Sequence, residues 1–254
     1  MDRKKLLLSR LNDIGRSLER TDHSLALIGL GSVGLELERL DEYSDLDFFV
    51  IVEAGHKVAF MQDLSWLEGV HPAATYFQNT DDGYKLLYED GIFCEFAIFE
   101  PAELARIPFA PGRIVWKRPE VDDSLAIPSY QQSSQAEREP EWLLGEALSN
   151  LYVGLGRYRR GEKLSGTRFV EGFAVDRLLQ LAALVEEETA TAKDPFANER
   201  RIEERFPALA RKLPSFVQGY ERCPESAEAI LDYLEAHFPV HPAMAREIRR
   251  LAAD

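Results

Sequence analysis

Three carboxylates and one glycine-rich turn hold the residue types that could do chemistry in this chain of 254 residues. In Ser44-Asp45-Leu46-Asp47 two acids stand at the entrance to an apolar, aromatic and β-branched run, Leu46 to Val52. A strand repeats every two residues, so Asp45 and Asp47 share one face and Leu46 takes the other. Carboxylates roughly 7 Å apart along a strand can share a pair of hard cations such as Mg2+. Glu95 sits in the middle of a second apolar run, Ile92-Phe93-Cys94-Glu95-Phe96-Ala97-Ile98-Phe99, where a charge is costly to bury unless it is paired or bound to a metal. The turn Gly29-Leu30-Gly31-Ser32-Val33-Gly34 offers backbone N–H groups beside the Ser32 hydroxyl, as a phosphate group requires.

Together these parts make a phosphate cradle next to a two-metal site, the equipment of nucleotidyl transfer. There, metal ions neutralise a triphosphate, bring an acceptor hydroxyl into line with the α-phosphorus and stabilise the departing pyrophosphate. The turn also has a rival reading. It fits GxGxxG, follows a predicted strand and has Glu53 19 residues beyond Gly34, the pattern of a dinucleotide-binding Rossmann unit. Against that, Leu35 to Ser44 is charged and has few apolar residues to pack a crossover helix, and the later strands pair as hairpins rather than βαβ units. A Rossmann fold also has no use for Asp45 and Asp47. Each part has an ordinary explanation as well: a tight turn at Gly31 and Ser32, a solvated strand end at Asp45 and Asp47, a salt bridge at Glu95. The order and spacing of all three favour the metal-dependent reading.

The elements that must position these groups follow from periodicity. Leu6, Leu7, Leu11, Ile14 and Leu18 predict an amphipathic helix over Arg3 to Arg20. Strands are predicted at Leu25 to Ile28, Leu46 to Val52, Ala73 to Gln78, Tyr84 to Tyr88, Gly91 to Glu100 and Arg113 to Trp116. Leu35 to Tyr43 reads equally as a short helix or an exposed loop, and Pro119 to Pro140 reads as a linker. Beyond it the pattern is helical, over Glu141 to Arg160, Arg168 to Glu188, Asn198 to Lys212, Ser226 to Phe238 and Pro242 to Ala253. The expected fold class is α+β, with a mixed-sheet domain over 1–125, an all-α helical bundle over 126–254, and the active site in the cleft between them.

Composition narrows the partners. Lys and Arg number 30 against 44 Asp and Glu, a formal charge of −14, so a nucleic-acid polymer is not an expected partner. Both halves of the chain are acidic, which suits a cationic or neutral small molecule. Cys94 and Cys223 lie far apart and form no CxxC pattern, so neither a disulfide scaffold nor a zinc site is expected and a reducing cytoplasm is the default location. No apolar run approaches the roughly 20 residues of a membrane span, and no membrane association is expected. Apolar residues on the bundle helices suit a core or a homodimer interface equally.

On its motifs the sequence resembles the DNA polymerase beta-like nucleotidyltransferase superfamily. The carriers are Leu25-Ala-Leu-Ile-Gly-Leu-Gly31-Ser32, then Tyr43-Ser44-Asp45-Leu46-Asp47-Phe48-Phe49-Val50, and the later Cys94-Glu95-Phe96. With a long helix ending in Arg160-Gly161-Glu162, it looks most like the lincosamide and aminoglycoside nucleotidyltransferases of antibiotic resistance. The resemblance implies transfer of a nucleoside monophosphate, AMP from Mg·ATP, to a hydroxyl of a small molecule. It assigns Asp45, Asp47 and Glu95 as metal ligands and catalytic groups, with two Mg2+ ions. Gly31, Ser32 and Ser44 fall in the nucleotide-binding motifs, while Arg160, Lys163 and Arg168 would either touch the triphosphate or simply serve a helix C-terminus, which favours cations. Glu146 on the first bundle helix would either orient a cationic acceptor or, as exposed helix acids usually do, face water. The stretch after Ser32 departs from the family in having Arg39 as its only cation. The alternative from another class is a non-catalytic, antitoxin-like binding protein on the same fold.

Overall fold

Leu7, Leu11, Ile14 and Leu18 recur at helical spacing and are fully buried along one side of α1 (Arg3–Glu19). Asp2 caps the helix by accepting the Lys4 N–H, and each buried leucine contributes about 1.5–3 kcal/mol. The structure is a computed structural model that describes residues 2–130, 138–191, 193–194 and 196–253. The chain forms two compact units, Met1–Ser134 and Gln135–Asp254, and the fold is α+β.

The first unit is built on six strands: β1 (Ser24–Gly29), β2 (Leu46–Val52), β3 (Ala73–Gln78), β4 (Gly83–Tyr88), β5 (Phe93–Phe99) and β6 (Arg113–Lys117). Their order is β3-β4-β5-β2-β1-β6. The β2–β5 pair is parallel and every other pair is antiparallel. The antiparallel β1–β2 pair excludes the dinucleotide-binding reading, since a βαβ unit joins parallel strands. Three short helices, α2 (Lys57–Gln62), α3 (Ser65–Glu68) and α4 (Pro101–Leu104), complete the unit. The segment Leu35 to Tyr43 resolves as a loop with one 3-10 turn at Leu37–Arg39.

Strand alternation divides two cores. Leu46, Phe48, Val50 and Val52 face α1 together with Cys94, Phe96 and Ile98 of β5. On the opposite face Phe49 and Ile51 pack with Ala97 and Phe99, under Leu104, Phe109 and Ala126. Asp47 and Glu95 are the next positions along on that second face and are partly exposed.

In the second unit Pro140 opens α5 (Pro140–Arg159), whose Leu143, Ala147, Leu148, Leu151 and Leu155 are buried. It is followed by α6 (Lys163–Thr167), a π-helical stretch at Arg168–Ala174 and α7 (Val175–Ala182). The helix expected from Arg168 thus begins at Lys163 and ends six residues before Glu188. The helix expected over Asn198 to Lys212 is broken into α8 (Ile202–Arg205) and α9 (Pro207–Ala210). Pro207 is the cause: Phe206 before it adopts φ −128 and ψ 74, away from the helical region that a following proline disfavours. Three more helices, α10 (Leu213–Phe216), α11 (Cys223–His237) and α12 (Pro242–Ala253), finish the unit. Both cysteines are buried and free, and they belong to different units. Among the described residues no helix is long and apolar enough to cross a membrane.

Candidate active site

The parallel β2–β5 register sets Leu46 opposite Cys94 and Asp47 opposite Glu95. Partnered residues on neighbouring strands point to the same face about 4.8 Å apart; Asp45 lies one residue before β2 begins and has no partner in this register. The acids form one end of a row that β4 continues, because Lys85 is the antiparallel partner of Glu95. Burial raises the Cys94 thiol pKa, with a smaller push from the negative charges of Asp45 and Asp47.

Asp47 also meets the glycine turn. The Leu30 N–H donates to the Asp47 carbonyl at 2.8 Å, which prolongs the β1–β2 ladder and brings the turn over the strand. Gly31 adopts φ +52, and a methyl group there would stand 3.8 Å from Asp47 Oδ2. Gly31–Val33 form a single 3-10 turn that carries Ser32. Within it the Val33 N–H donates to the Leu30 carbonyl at 3.2 Å and the Gly34 N–H to the Gly31 carbonyl at 3.0 Å. Arg113 of β6 braces the turn from below, with Nη2 donating to the Val33 carbonyl at 2.9 Å and Nε to the Gly34 carbonyl at 3.3 Å. Sequence reasoning missed this arginine, because the β1–β6 pairing that delivers it spans most of the unit.

Gly34 is required by space. A methyl group there would lie 2.7 Å from the Gly29 carbonyl oxygen and 2.8 Å from the Leu30 carbonyl carbon, both backbone atoms. Gly34→Ala is therefore expected to cost about 1–3 kcal/mol as an overpacked substitution. Urea unfolding checks it, with a lower midpoint at unchanged slope as the expected result.

Glu95 makes the salt bridge that is one of its two sequence readings. The apolar run implies a desolvated carboxylate, yet the side chain is 44 % accessible and Lys85 Nζ stands 3.1 Å from Oε2. The second face of the sheet is open at this end, so the charge keeps water and a partner. Arg39, the one cation of its loop, is paired to Glu36. Ser44 is occupied in its loop: its hydroxyl donates to Asp41 Oδ1 at 3.0 Å and accepts the Asp41 N–H at 3.0 Å. The Ser44 hydroxyl and the Tyr43 N–H hold the Asp41 carboxyl below its usual pKa.

Lys163 and Arg168 lie in the second unit. Lys163 pairs with Glu221 at 3.0 Å and sits over the Tyr158 ring, and the Arg168 guanidinium sits over Phe173. Arg160 Nε is 3.4 Å from Glu162, while Glu146 is half-buried on α5. A different titratable group is gathered more tightly than any of these: His23, Glu53 and His56, at the other end of the β1–β2 hairpin.

Comparison with known proteins returns no matching family model and no matching curated protein. Among solved structures, the chain is similar to an aminoglycoside 6-adenyltransferase from Bacillus subtilis, at 14% identity and TM-score 0.35 over 95% of this chain and 88% of that one. It is similar to a nucleotidyltransferase-like protein from Exiguobacterium sibiricum, at 10% identity and TM-score 0.35 over 94% of this chain and 71% of that one. A third is the Thermotoga maritima CCA-adding enzyme complexed with tRNA, at 13% identity and TM-score 0.38 over 100% of this chain and 73% of that one. Likenesses at this identity and score carry no argument about activity.

Proposed function

We propose that the chain transfers a nucleoside monophosphate from a nucleoside triphosphate, AMP from ATP, to a hydroxyl of a small molecule. The single observation that carries this is the convergence on Asp47, which neighbours the Gly31–Ser32 turn on one side and Glu95 on the other. Asp45, Asp47 and Glu95 offer only carboxylate oxygens, a donor set that fits Mg2+. Bound there, Mg2+ would supply charge neutralisation for the triphosphate.

The remaining work falls to this chain's residues. Asp45, one residue before β2, and Asp47 within it would hold the cation. The Gly31 and Ser32 N–H groups and the Ser32 hydroxyl hold phosphate oxygens. Glu95, once Lys85 turns from it to the incoming anion, takes the proton of the acceptor hydroxyl. The acceptor oxygen then bonds to the α-phosphorus as the bond to the β-phosphate oxygen breaks, and pyrophosphate leaves.

The test is pyrophosphate release from ATP, CTP, GTP and UTP with Mg2+ across a panel of hydroxylated acceptors, aminoglycosides and lincosamides included. Acceptor-dependent release with at least one nucleotide is expected, and its absence with every pairing would overturn the reading. One observation favours the non-catalytic alternative: the Lys85–Glu95 pair removes the desolvation that would otherwise demand a metal at Glu95. A melting temperature unmoved by Mg·nucleotide would favour that alternative.

A further inference from the structure

Ser24 and Val52 are register partners at the end of the β1–β2 hairpin remote from the acids. The chain leaves that end as His23 on one strand and Glu53 on the other, and the Glu53 N–H donates to the His23 carbonyl at 2.8 Å. His56 follows one turn later, its N–H donating to the Glu53 carbonyl at 3.1 Å. The side chains close the same triangle. His23 Nδ1 is 2.8 Å from Glu53 Oε2, and the two imidazole rings stack with centroids 3.6 Å apart and planes 14° from parallel. One ligand atom from each of the three residues lies within 4.8 Å of the other two.

The turn that presents His23 is held firmly. His23 takes the left-handed conformation, φ 66, which costs a non-glycine residue about 1–2 kcal/mol. Three hydrogen bonds around it compensate: Arg118 donates to the Ser24 carbonyl at 2.6 Å and the Thr21 carbonyl at 3.1 Å, and the Ser24 hydroxyl donates to the Leu18 carbonyl at 2.6 Å. The Arg118 charge opposes a second cation nearby, and the Glu53 carboxylate offsets it.

Two imidazoles and one carboxylate are the donors chosen by Zn2+ and its neighbours in the first transition row, and not by Mg2+. A tetrahedral centre with bonds of about 2.0–2.1 Å sets its ligand atoms about 3.3 Å apart. The His23–Glu53 pair is at 2.8 Å and the three ligand atoms lie within 4.8 Å of one another, so rotation of these incompletely buried side chains would bring them to that spacing, with solvent supplying the fourth ligand. From Asp47 to Glu53 the strand runs about 20 Å, so this group is separate from the carboxylate row.

We infer that His23, Glu53 and His56 form a divalent transition-metal site that takes Zn2+, tying the turn after α1 to the turn before α2. The site is independent of the proposed transferase reading. Its test is calorimetric titration of Zn2+ into the chelator-stripped full chain, repeated with Asp47→Asn and with the double variant His23→Gln/His56→Gln. One Zn2+ per chain is expected, retained in Asp47→Asn and weakened at least about tenfold in the double variant, with a melting temperature raised by about 5 °C at saturation.

Failure of the wild type to bind saturably would overturn the site. So would unchanged binding by the double variant, or loss of binding in Asp47→Asn alone. Co2+ loading of the wild type gives a readout free of variants: the visible spectrum of a four-coordinate, nitrogen-ligated centre is expected, and a weak six-coordinate spectrum would refute the assignment.

Discussion

Asp47→Asn is expected to lower Mg2+-dependent pyrophosphate release by at least about 100-fold while the protein stays folded. The substitution keeps the side chain's shape and the backbone bond from Leu30 to the Asp47 carbonyl. It removes one negative charge from the place where the Gly31 turn and Glu95 both border the strand. A metal's charge stabilisation of a transferring phosphoryl group is worth several kcal/mol, and each 1.36 kcal/mol is tenfold in rate. Loss of half of that effect already reaches the stated magnitude. The measurement pairs initial rates with a thermal melt of the same sample. Turnover that survives in Asp47→Asn would sink the proposed role of the carboxylate row, even if the chain proved to be a transferase by other means.

The largest expected effect on stability lies across the sheet. Arg10 of α1 is 5 % exposed, its guanidinium 2.7 Å from Asp90 and 4.5 Å from the Tyr88 ring centroid. Arg10→Ala removes the buried guanidinium, its packing on Tyr88 and a charged hydrogen bond, together about 3 kcal/mol; the Asp90 carboxylate left behind is 26 % accessible and keeps the Ile92 N–H. The melting transition of this unit should fall by about 10 °C or more. Arg10→Met/Asp90→Asn should recover part of the loss, since it strands no charge.

The pair has a pH signature as well. Burial by itself raises the Asp90 pKa, but hydrogen bonds from Arg10 and the Ile92 N–H outweigh it and the net shift is downward. A lowered folded-state pKa stabilises the wild type fully above the unfolded value of about 3.9 and is lost as pH falls through the folded one. The stability gap between wild type and Arg10→Ala should therefore narrow on acidification below about pH 4.

The local half of this fold was legible in the sequence, and the long-range half was not. Strand β2 begins and ends where its β-branched and aromatic run does, at Leu46 and Val52, because such a run buried on both faces has one stable conformation. The helix at Pro242–Ala253 has the predicted bounds, and proline opens it. Neighbour relations are another matter. That Asp47 lies beside Glu95 depends on β5 docking parallel to β2, which no local spacing encodes. Lys85 reaches Glu95 for the same reason, through β4, and its arrival turned a costly buried charge into an accessible pair. His23 and His56 stand on either side of two strands in sequence and come together only through the hairpin between them. The expected helix over Asn198 to Lys212 yielded to Pro207, a local signal that apolar periodicity outweighed.

The parallel docking of β5 on β2 also sets an order of events in time. Hairpins such as β1–β2 and β4–β5 join neighbours in the chain and can close early, whereas α2, α3, β3 and β4 must all be made or carried along before β5 meets β2. Closing so long a loop defers its reward. A chain in which β5 has not met β2 holds Asp45 and Asp47 without Glu95. Whatever cation needs all three carboxylates therefore favours the completed sheet over any chain in which β5 is undocked.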